Sequence, residues 1–182
     1  MKALHKITSK DLLRPVLNYI QVKDDFVYAM DTHAAVIAPL NEVFFEKGII
    51  APDEELYFNG QEWGAFKIYK ADIITRDGNY YTAKTLKGTV LGTIKALTVD
   101  EFKSIGKYPD VQSVFPTDIQ PQTISRIGIN YKVYQNACEA LGGESIHIRC
   151  TFYGVDKPIL LTTKDYNSKV VFMPCYDRKN GY

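Results

Sequence analysis

The chain of 182 residues carries 22 Lys plus Arg against 21 Asp plus Glu, a balance that excludes a polybasic nucleic-acid-binding tail. Its 46% hydrophobic and 24% charged residues are typical of a folded globular protein and not of a disordered one. The longest uncharged apolar run, Ala34 to Leu40, is far shorter than the ~20 residues that cross a bilayer, and no apolar signal-peptide core follows Met1. We therefore expect an intracellular, cytoplasmic protein without a membrane partner.

Cysteine and histidine usage gives no sign of a disulfide framework or a metal site. There are three residues of each type, all isolated, with no C-x-x-C pair and no H-E-x-x-H or H-x-x-x-H spacing. They are Cys138, Cys150 and Cys175, and His5, His33 and His147. The sequence therefore predicts no metal and no cofactor.

The first part of the chain predicts a short helix and then a β-meander. Ser9 to Arg14 has room for about one helical turn before Pro15 stops it. Three runs rich in β-branched and aromatic residues follow, and Lys23-Asp24-Asp25 joins the first two as a tight hairpin turn. These predicted strands are Leu17 to Val22, Phe26 to Met30 and Ala34 to Leu40.

The middle of the chain repeats this order of helix and strands. Gly60 to Lys70 predicts a helix with Asn59 as its N-cap. The tetrapeptide Arg76 to Asn79 contains Asp-Gly, which supplies the positive φ values that a hairpin needs. The predicted strands here are Ile73 to Thr75, Tyr80 to Ala83 and Val90 to Leu97.

The last part repeats the order a third time. Asn130 to Leu141 predicts the clearest helix, with one apolar face and a Gly142-Gly143 end. The strands predicted after it are Ser145 to Phe152, Pro158 to Thr163 and Lys169 to Met173.

Hairpin-linked strands without long crossovers predict an α+β fold with antiparallel sheets and a few short helices packed on one face. Each helix-plus-meander unit spans roughly 60 residues, which indicates an internal repeat of elements. The least regular stretch, Lys103 to Gln122, contains three prolines and marks the main boundary. We expect a domain of two units over residues 1–118 and a half-domain of one unit over 119–182.

Three stretches carry a resemblance to a known family. The first is A-M-D-T-H-A-A-V at 29–36, preceded by R-P-V-L-N at 14–18; the second is G-K-Y-P-D-V-Q-S-V-F-P at 106–116. The third runs from Gly128 through the predicted helix to V-V-F-M-P at 170–174. In order and spacing they resemble stretches of the bacterial DNA sliding clamp, the β subunit of DNA polymerase III. The first resembles its A-T-D-G-H-R-L-A motif with the preceding R-x-x-L-N, the second its G-K-F-P-D-Y-x-x-V-x-P segment, and the third its final half-domain, which ends in V-V-M-P-M-R-L.

The chain also departs from that family. The half-domain between the second and third stretches is absent, the first helix is nearly deleted, and Ala34 replaces the arginine after the motif histidine. The resemblance implies the DNA-clamp fold in a reduced form, of the kind that a phage or mobile element would carry. It also implies homo-oligomers, because encircling DNA needs more repeats than one such chain contains.

In the family, these stretches meet in an apolar cleft that receives short peptide motifs of DNA polymerases and other replication proteins. Carried over, the partner-peptide cleft comprises Thr32, His33, Ala35, Pro109, Val114, Phe172, Met173, Pro174 and Cys175. Lysines and arginines of the family's helices hold the phosphates of double-stranded DNA without reading sequence. The corresponding DNA-binding candidates are Lys10, Arg14, Lys67, Lys70, Arg126 and Lys132.

Other functions fit some of the same residues. On a strand, Asp31 and His33 would share a face, so a carboxylate and an imidazole could meet there as in a hydrolase, but no further catalytic motif accompanies them. The 13 tyrosines could stack single-stranded bases, although sheet packing explains them equally well. The functional prediction is a non-enzymatic DNA-replication accessory protein; the alternative is a protein–protein interaction module that keeps the clamp fold without binding DNA.

Overall fold

A computed structural model describes residues 3–44, 49–50, 54–66, 70–142, 147–165 and 167–175. Within these residues, ten strands form one antiparallel sheet in the order β5-β6-β7-β4-β1-β2-β3-β10-β9-β8. The strands are β1 Tyr19–Lys23, β2 Phe26–Met30, β3 Ala34–Pro39, β4 Leu56–Asn59, β5 Ile73–Asp77, β6 Tyr80–Lys84, β7 Val90–Thr98, β8 Ile148–Thr151, β9 Ile159–Thr163 and β10 Lys169–Phe172. The predicted α+β class is confirmed.

The described helices are short. They are α1 Gly60–Phe66, α2 Val99–Phe102 and α3 Tyr131–Leu141, with 3₁₀ turns at Leu4–Lys6, Pro15–Asn18, Leu40–Glu42 and Val111–Val114. No helix among the described residues is long and apolar enough to cross a membrane.

Strands β1, β2 and β3 lie near the centre of the sheet. Hairpins join β1 to β2 and β2 to β3, and the first hairpin turns through Asp24 and Asp25 with φ values of 49° and 63°. Such positive values give the turn the twist that matches paired strands. On one side β1 pairs with β4, which precedes α1, and on the other β3 pairs with β10.

The central strands of the sheet are buried on both faces. Alternate residues of the central strands, such as Ile20, Val27 and Val36, point to the face that α1, α3 and the Leu4–Lys6 turn cover, which we call the helical face. Here the largest buried side chains include Trp63 and Phe66 of α1. This period-2 alternation is what lets one strand serve two layers.

The intervening residues of the same strands point to the opposite face. Tyr28 and Tyr57 there pack with Phe102 of α2 and with Tyr108 and Val111 of the following segment. The rings of Tyr57 and Phe102 stack with centroids 3.8 Å apart. The predicted packing of short helices on one face holds for α1 and α3, whereas α2, which the sequence analysis did not predict, packs on the opposite face through Phe102.

Other predicted elements differ in detail. Ser9 to Arg14 is not helical, because the side chains of Ser9 and Asp11 accept hydrogen bonds from backbone N–H groups and hold this segment in a turn. Pro15 begins a 3₁₀ turn instead of ending a helix. The helix predicted from Gly60 is observed as far as Phe66, and the rest of its predicted range, Lys67 to Tyr69, lies outside the described residues. Gly143 to Ile146, which belong to the predicted end of the third helix and the start of the strand after it, also lie outside the described residues. The remaining predicted strands match observed ones to within a few residues.

Candidate functional site

A small apolar groove lies where the turn between β2 and β3 meets the end of β10. Its volume is about 140 Å³. The backbone N–H of Met173 donates a hydrogen bond of 3.0 Å to the carbonyl of His33, which ties the two segments together. The groove is lined by Met30, Asp31, Thr32, His33, Ala34, Ala35, Val114, Pro158, Val171, Phe172 and Met173.

The Asp31 carboxylate shapes the turn that forms one wall of the groove. Its Oδ1 accepts hydrogen bonds of 2.7 Å each from the backbone N–H groups of His33 and Ala34. An aspartate used in this way stabilises a turn, as Asx turns commonly do. The carboxylate is thus engaged by the backbone, so the arrangement gives no support to the hydrolase alternative.

The groove suits an apolar guest. Met173 is 47% exposed and Val114 is 39% exposed, so both present apolar surface at its mouth while Phe172 is buried at the end of β10. Ala34, which stands where the family motif has arginine, is buried and pairs with Phe172. A methionine at such a mouth adapts to differently shaped side chains. The arrangement can receive an aliphatic or aromatic side chain.

Part of the predicted cleft lines this groove and part does not. Pro109 lies in a different, larger groove, and Pro174 and Cys175 continue past the strand, where the Cys175 N–H bonds to the Gly128 carbonyl at 2.8 Å. The predicted residues in the lining are Thr32, His33, Ala35, Val114, Phe172 and Met173. Sequence reasoning missed Met30, Asp31, Ala34, Pro158 and Val171, although most of them adjoin the quoted motifs.

The larger groove, of about 670 Å³, runs beside α2 on the face opposite the helical face. On its floor Glu55 accepts hydrogen bonds from Tyr57 and Gln21 and pairs with Lys23 at 3.4 Å. Burial alone would raise the pKa of the Glu55 carboxyl, but hydrogen bonds from Tyr57, Gln21 and Lys23 outweigh it and lower that pKa. Burial, with the bond to Glu55, raises the pKa of Tyr57 to about 12.

The DNA-binding candidates are dispersed over the molecule. Lys10 and Arg14 are exposed on the turn before β1, Lys132 is exposed at the start of α3, and Lys70 and Arg126 are exposed in connecting segments. Lys67 lies outside the described residues. The described candidates therefore lie on separate parts of the chain and not along one helix.

Acidic residues accompany these cations on the helices. Glu62 is exposed in the first turn of α1, and Glu139 of α3 pairs with Lys6 at 3.5 Å. Within the described part of the chain, no group of three or more His, Cys, Asp or Glu residues could hold a metal ion.

Solved structures of bacterial sliding clamps share this architecture. The Bacillus subtilis DNA polymerase sliding clamp aligns over 96% of this chain with a TM-score of 0.56 and 16% identity. The Helicobacter pylori β clamp bound to a DNA ligase peptide aligns over 96% with a TM-score of 0.60 and 14% identity. The DNA polymerase III β subunit of Thermotoga maritima aligns over 94% with a TM-score of 0.56 and 13% identity.

The aligned region is only part of each clamp. This chain spans 62% of the B. subtilis and H. pylori proteins and 60% of the T. maritima protein. No protein-family model matches the sequence, and no curated protein sequence matches it at a significant level. Over the aligned region the chain therefore has the fold of the DNA polymerase III β sliding clamps, and the resemblance seen in the sequence is confirmed at the level of the fold.

Proposed function

We propose that this chain is a non-enzymatic accessory protein of DNA replication that captures short peptide segments of replication enzymes such as DNA polymerase. The observation that carries the proposal is the 140 Å³ apolar groove, in which the Asp-x-His turn, Val114 and Met173 come together. An apolar groove with few charges selects one or two anchoring side chains of a peptide. The H. pylori clamp, which shares this fold, was solved with a DNA ligase peptide.

Residues outside the apolar groove bear on the extent of the site. We propose that Pro174 and Cys175 extend the peptide path beyond Met173, because they follow it directly along the chain. Pro109 would act only through the segment that carries Val114. The division into a domain of residues 1–118 and a half-domain of 119–182 also stays a proposal.

Met173→Asp tests the groove. A carboxylate at its mouth should weaken the binding of a fluorescein-labelled decapeptide with a Leu-Phe anchor at least about tenfold, since burying a charge without a partner is costly. The fold should persist, because Met173 is 47% exposed. Fluorescence anisotropy measures the binding and circular dichroism checks the fold.

The matched control is Leu86→Asp, which introduces the same charge at an apolar residue that is 78% exposed and outside the groove. It should bind the peptide like the unchanged protein. Equal binding by the Met173→Asp variant, or equal binding of a peptide with Ala-Ala in place of Leu-Phe, would contradict the proposal.

The second candidate is an interaction module that keeps the fold without contacting DNA. The exposed Glu62 and the Lys6–Glu139 ion pair favour it, because a phosphate-binding helix surface needs an excess of cations. In the first candidate, Lys10, Arg14, Lys67, Lys70, Arg126 and Lys132 supply sequence-independent contacts to double-stranded DNA, and further copies of the chain supply the repeats that one copy lacks.

A further inference from the structure

A turn before β1 displays two adjacent leucines to solvent. Leu12 is 87% exposed and Leu13 is 90% exposed, the highest values among the large apolar residues that the structure describes. Single exposed apolar side chains are common on protein surfaces. Two neighbours at the tip of one turn form a compact apolar projection, which is a different feature.

The turn is held in place by its own hydrogen bonds. The N–H of Asp11 donates to Ser9 Oγ at 3.0 Å, and the N–H of Leu13 donates to Asp11 Oδ1 at 2.9 Å. At its base, the Ser9 N–H donates to the carbonyl of Leu17, a buried residue, at 2.9 Å. Because the backbone is already ordered, insertion of the leucines into a partner would lose little conformational freedom.

We propose that the Leu12-Leu13 turn of one copy inserts into the apolar groove of a second copy of this chain. The inference rests on the proposed function, in which this groove accepts apolar anchors, and it names a further occupant. Apolar cavities of about 150 Å³ hold a benzene-sized guest. A groove of 140 Å³ therefore has room for one leucine side chain, with the other against its mouth.

The charges of the two surfaces are complementary. Lys10 and Arg14 flank the leucines and outnumber Asp11, so the turn carries a formal charge of +1. The groove lining contains Asp31 as its carboxylate and contains neither lysine nor arginine. Opposite charges at the rim of a contact favour the correct orientation of the two partners.

The proposed contact has to join two copies, because the turn does not fill the groove of its own chain. Both leucines are in solvent, and no residue of the turn lines that groove. The bond between Ser9 and Leu17 anchors the turn next to the core, so the turn cannot leave without breaking local structure. Each copy offers one turn and one groove, so the contact is head-to-tail and can continue through further copies.

Variants of the two surfaces test the contact in solution. Analytical ultracentrifugation at increasing concentration should show association of the unchanged protein, and should show that the L12D/L13D variant and the Met173→Asp variant each associate at least about tenfold more weakly. An equimolar mixture of the two variants should regain a one-to-one complex. The Met173→Asp copy keeps its turn and the L12D/L13D copy keeps its groove, so one intact contact remains.

A peptide of residues 8–16 isolates the same contact. It should bind the L12D/L13D variant, whose groove no neighbour occupies, and should not bind the Met173→Asp variant; the peptide with aspartate at both leucines should bind neither. A monomeric unchanged protein, or a mixture that forms no complex, overturns the inference. If the inference fails in this way but the L12D/L13D variant still binds the Leu-Phe decapeptide, the proposed function stands. If that variant binds the Leu-Phe and Ala-Ala peptides equally, the proposed function itself is rejected.

Discussion

At the scale of single residues, Glu55 is the best-connected carboxylate of the groove beside α2. It accepts hydrogen bonds from Tyr57 and Gln21, and Lys23 lies 3.4 Å from its second oxygen. Together these contacts hold its pKa below the ordinary value of 4.5, although burial acts in the other direction. A carboxyl whose pKa is lowered in the folded state stabilises the fold at pH values above its ordinary pKa. That contribution is lost as the pH falls through the folded-state pKa.

Glu55→Gln should therefore have a pH-dependent effect on stability. At pH 7 the substitution should lower the free energy of unfolding by about 1 kcal/mol, because it removes the ion pair with Lys23 and weakens the charge-assisted bonds. Below pH 4.5 the difference should shrink as Glu55 of the unchanged protein is protonated. Urea unfolding at pH 7, 4.5 and 3 measures it.

Asp100→Asn serves as the control for that experiment, because the pair of Asp100 with Lys103 is almost fully exposed. Its unfolding curves should follow the unchanged protein at each pH. A Glu55→Gln deficit that is the same at pH 3 and pH 7 would show that the carboxylate charge is not the source of the stability.

At the scale of elements, α3 depends on a defined N-terminus. The Asn130 side chain accepts hydrogen bonds from the N–H groups of Lys132 at 2.9 Å and Val133 at 3.3 Å. The helix buries Ala140 and Leu141 completely against the sheet. Its first turn is more exposed, so the cap carries much of the local order there.

Asn130→Ala should lower the free energy of unfolding by about 1 kcal/mol, because two N–H groups at the helix start lose their acceptor. Asn130→Asp should preserve stability, since its carboxylate also accepts these bonds and interacts favourably with the helix dipole. Urea midpoints of the two variants measure the effect. Equal destabilisation by both would mean that a contact other than capping is lost.

Elements with local signals were predicted well from the sequence. Asn130 and Gly142 mark the ends of α3, and Asp77-Gly78 marks the turn between β5 and β6. Of the missed elements, α2 does carry a local signal, the capping box of Thr98 and Glu101, whereas β4 lacks one. Leu56–Asn59 is too short to show a clear alternation of polar and apolar residues, and it becomes a strand because β1 and β7 pair with it on both sides.

The groove was only partly predictable for a similar reason. The Asp-x-His and Met-Pro motifs lie far apart in the sequence, and the pairing of β3 with β10 brings them together. Val171 enters the lining through that register, and Pro158 lies just before β9. Neither position can be read from spacing along the chain, because a sheet contact between distant strands determines it.

At the scale of the whole molecule, one continuous sheet separates two surfaces with different properties. The helical face is closed by α1 and α3, and Glu62 and the Lys6–Glu139 pair offset its cations. The opposite face carries α2 and the segment through Val111. The proposed electrostatic contact with DNA would therefore depend on a small number of exposed cations.

The dispersed cations predict a weak and shallow salt dependence of DNA binding. If Lys10, Arg14 and Lys132 each meet one phosphate, the affinity for double-stranded DNA should fall roughly 40-fold between 50 and 200 mM salt, the drop expected for about three released counterions. The K10A/R14A variant should retain about one third of the logarithmic slope. Fluorescence anisotropy with a labelled duplex measures both, and a relaxed plasmid tests whether circular DNA is held longer than linear DNA.

Binding of the decapeptide should barely change over the same salt range, because its contact is apolar. Failure to bind any duplex or plasmid at 50 mM salt would reject the DNA-contacting candidate and leave the peptide-binding module, whose groove does not depend on these lysines and arginines.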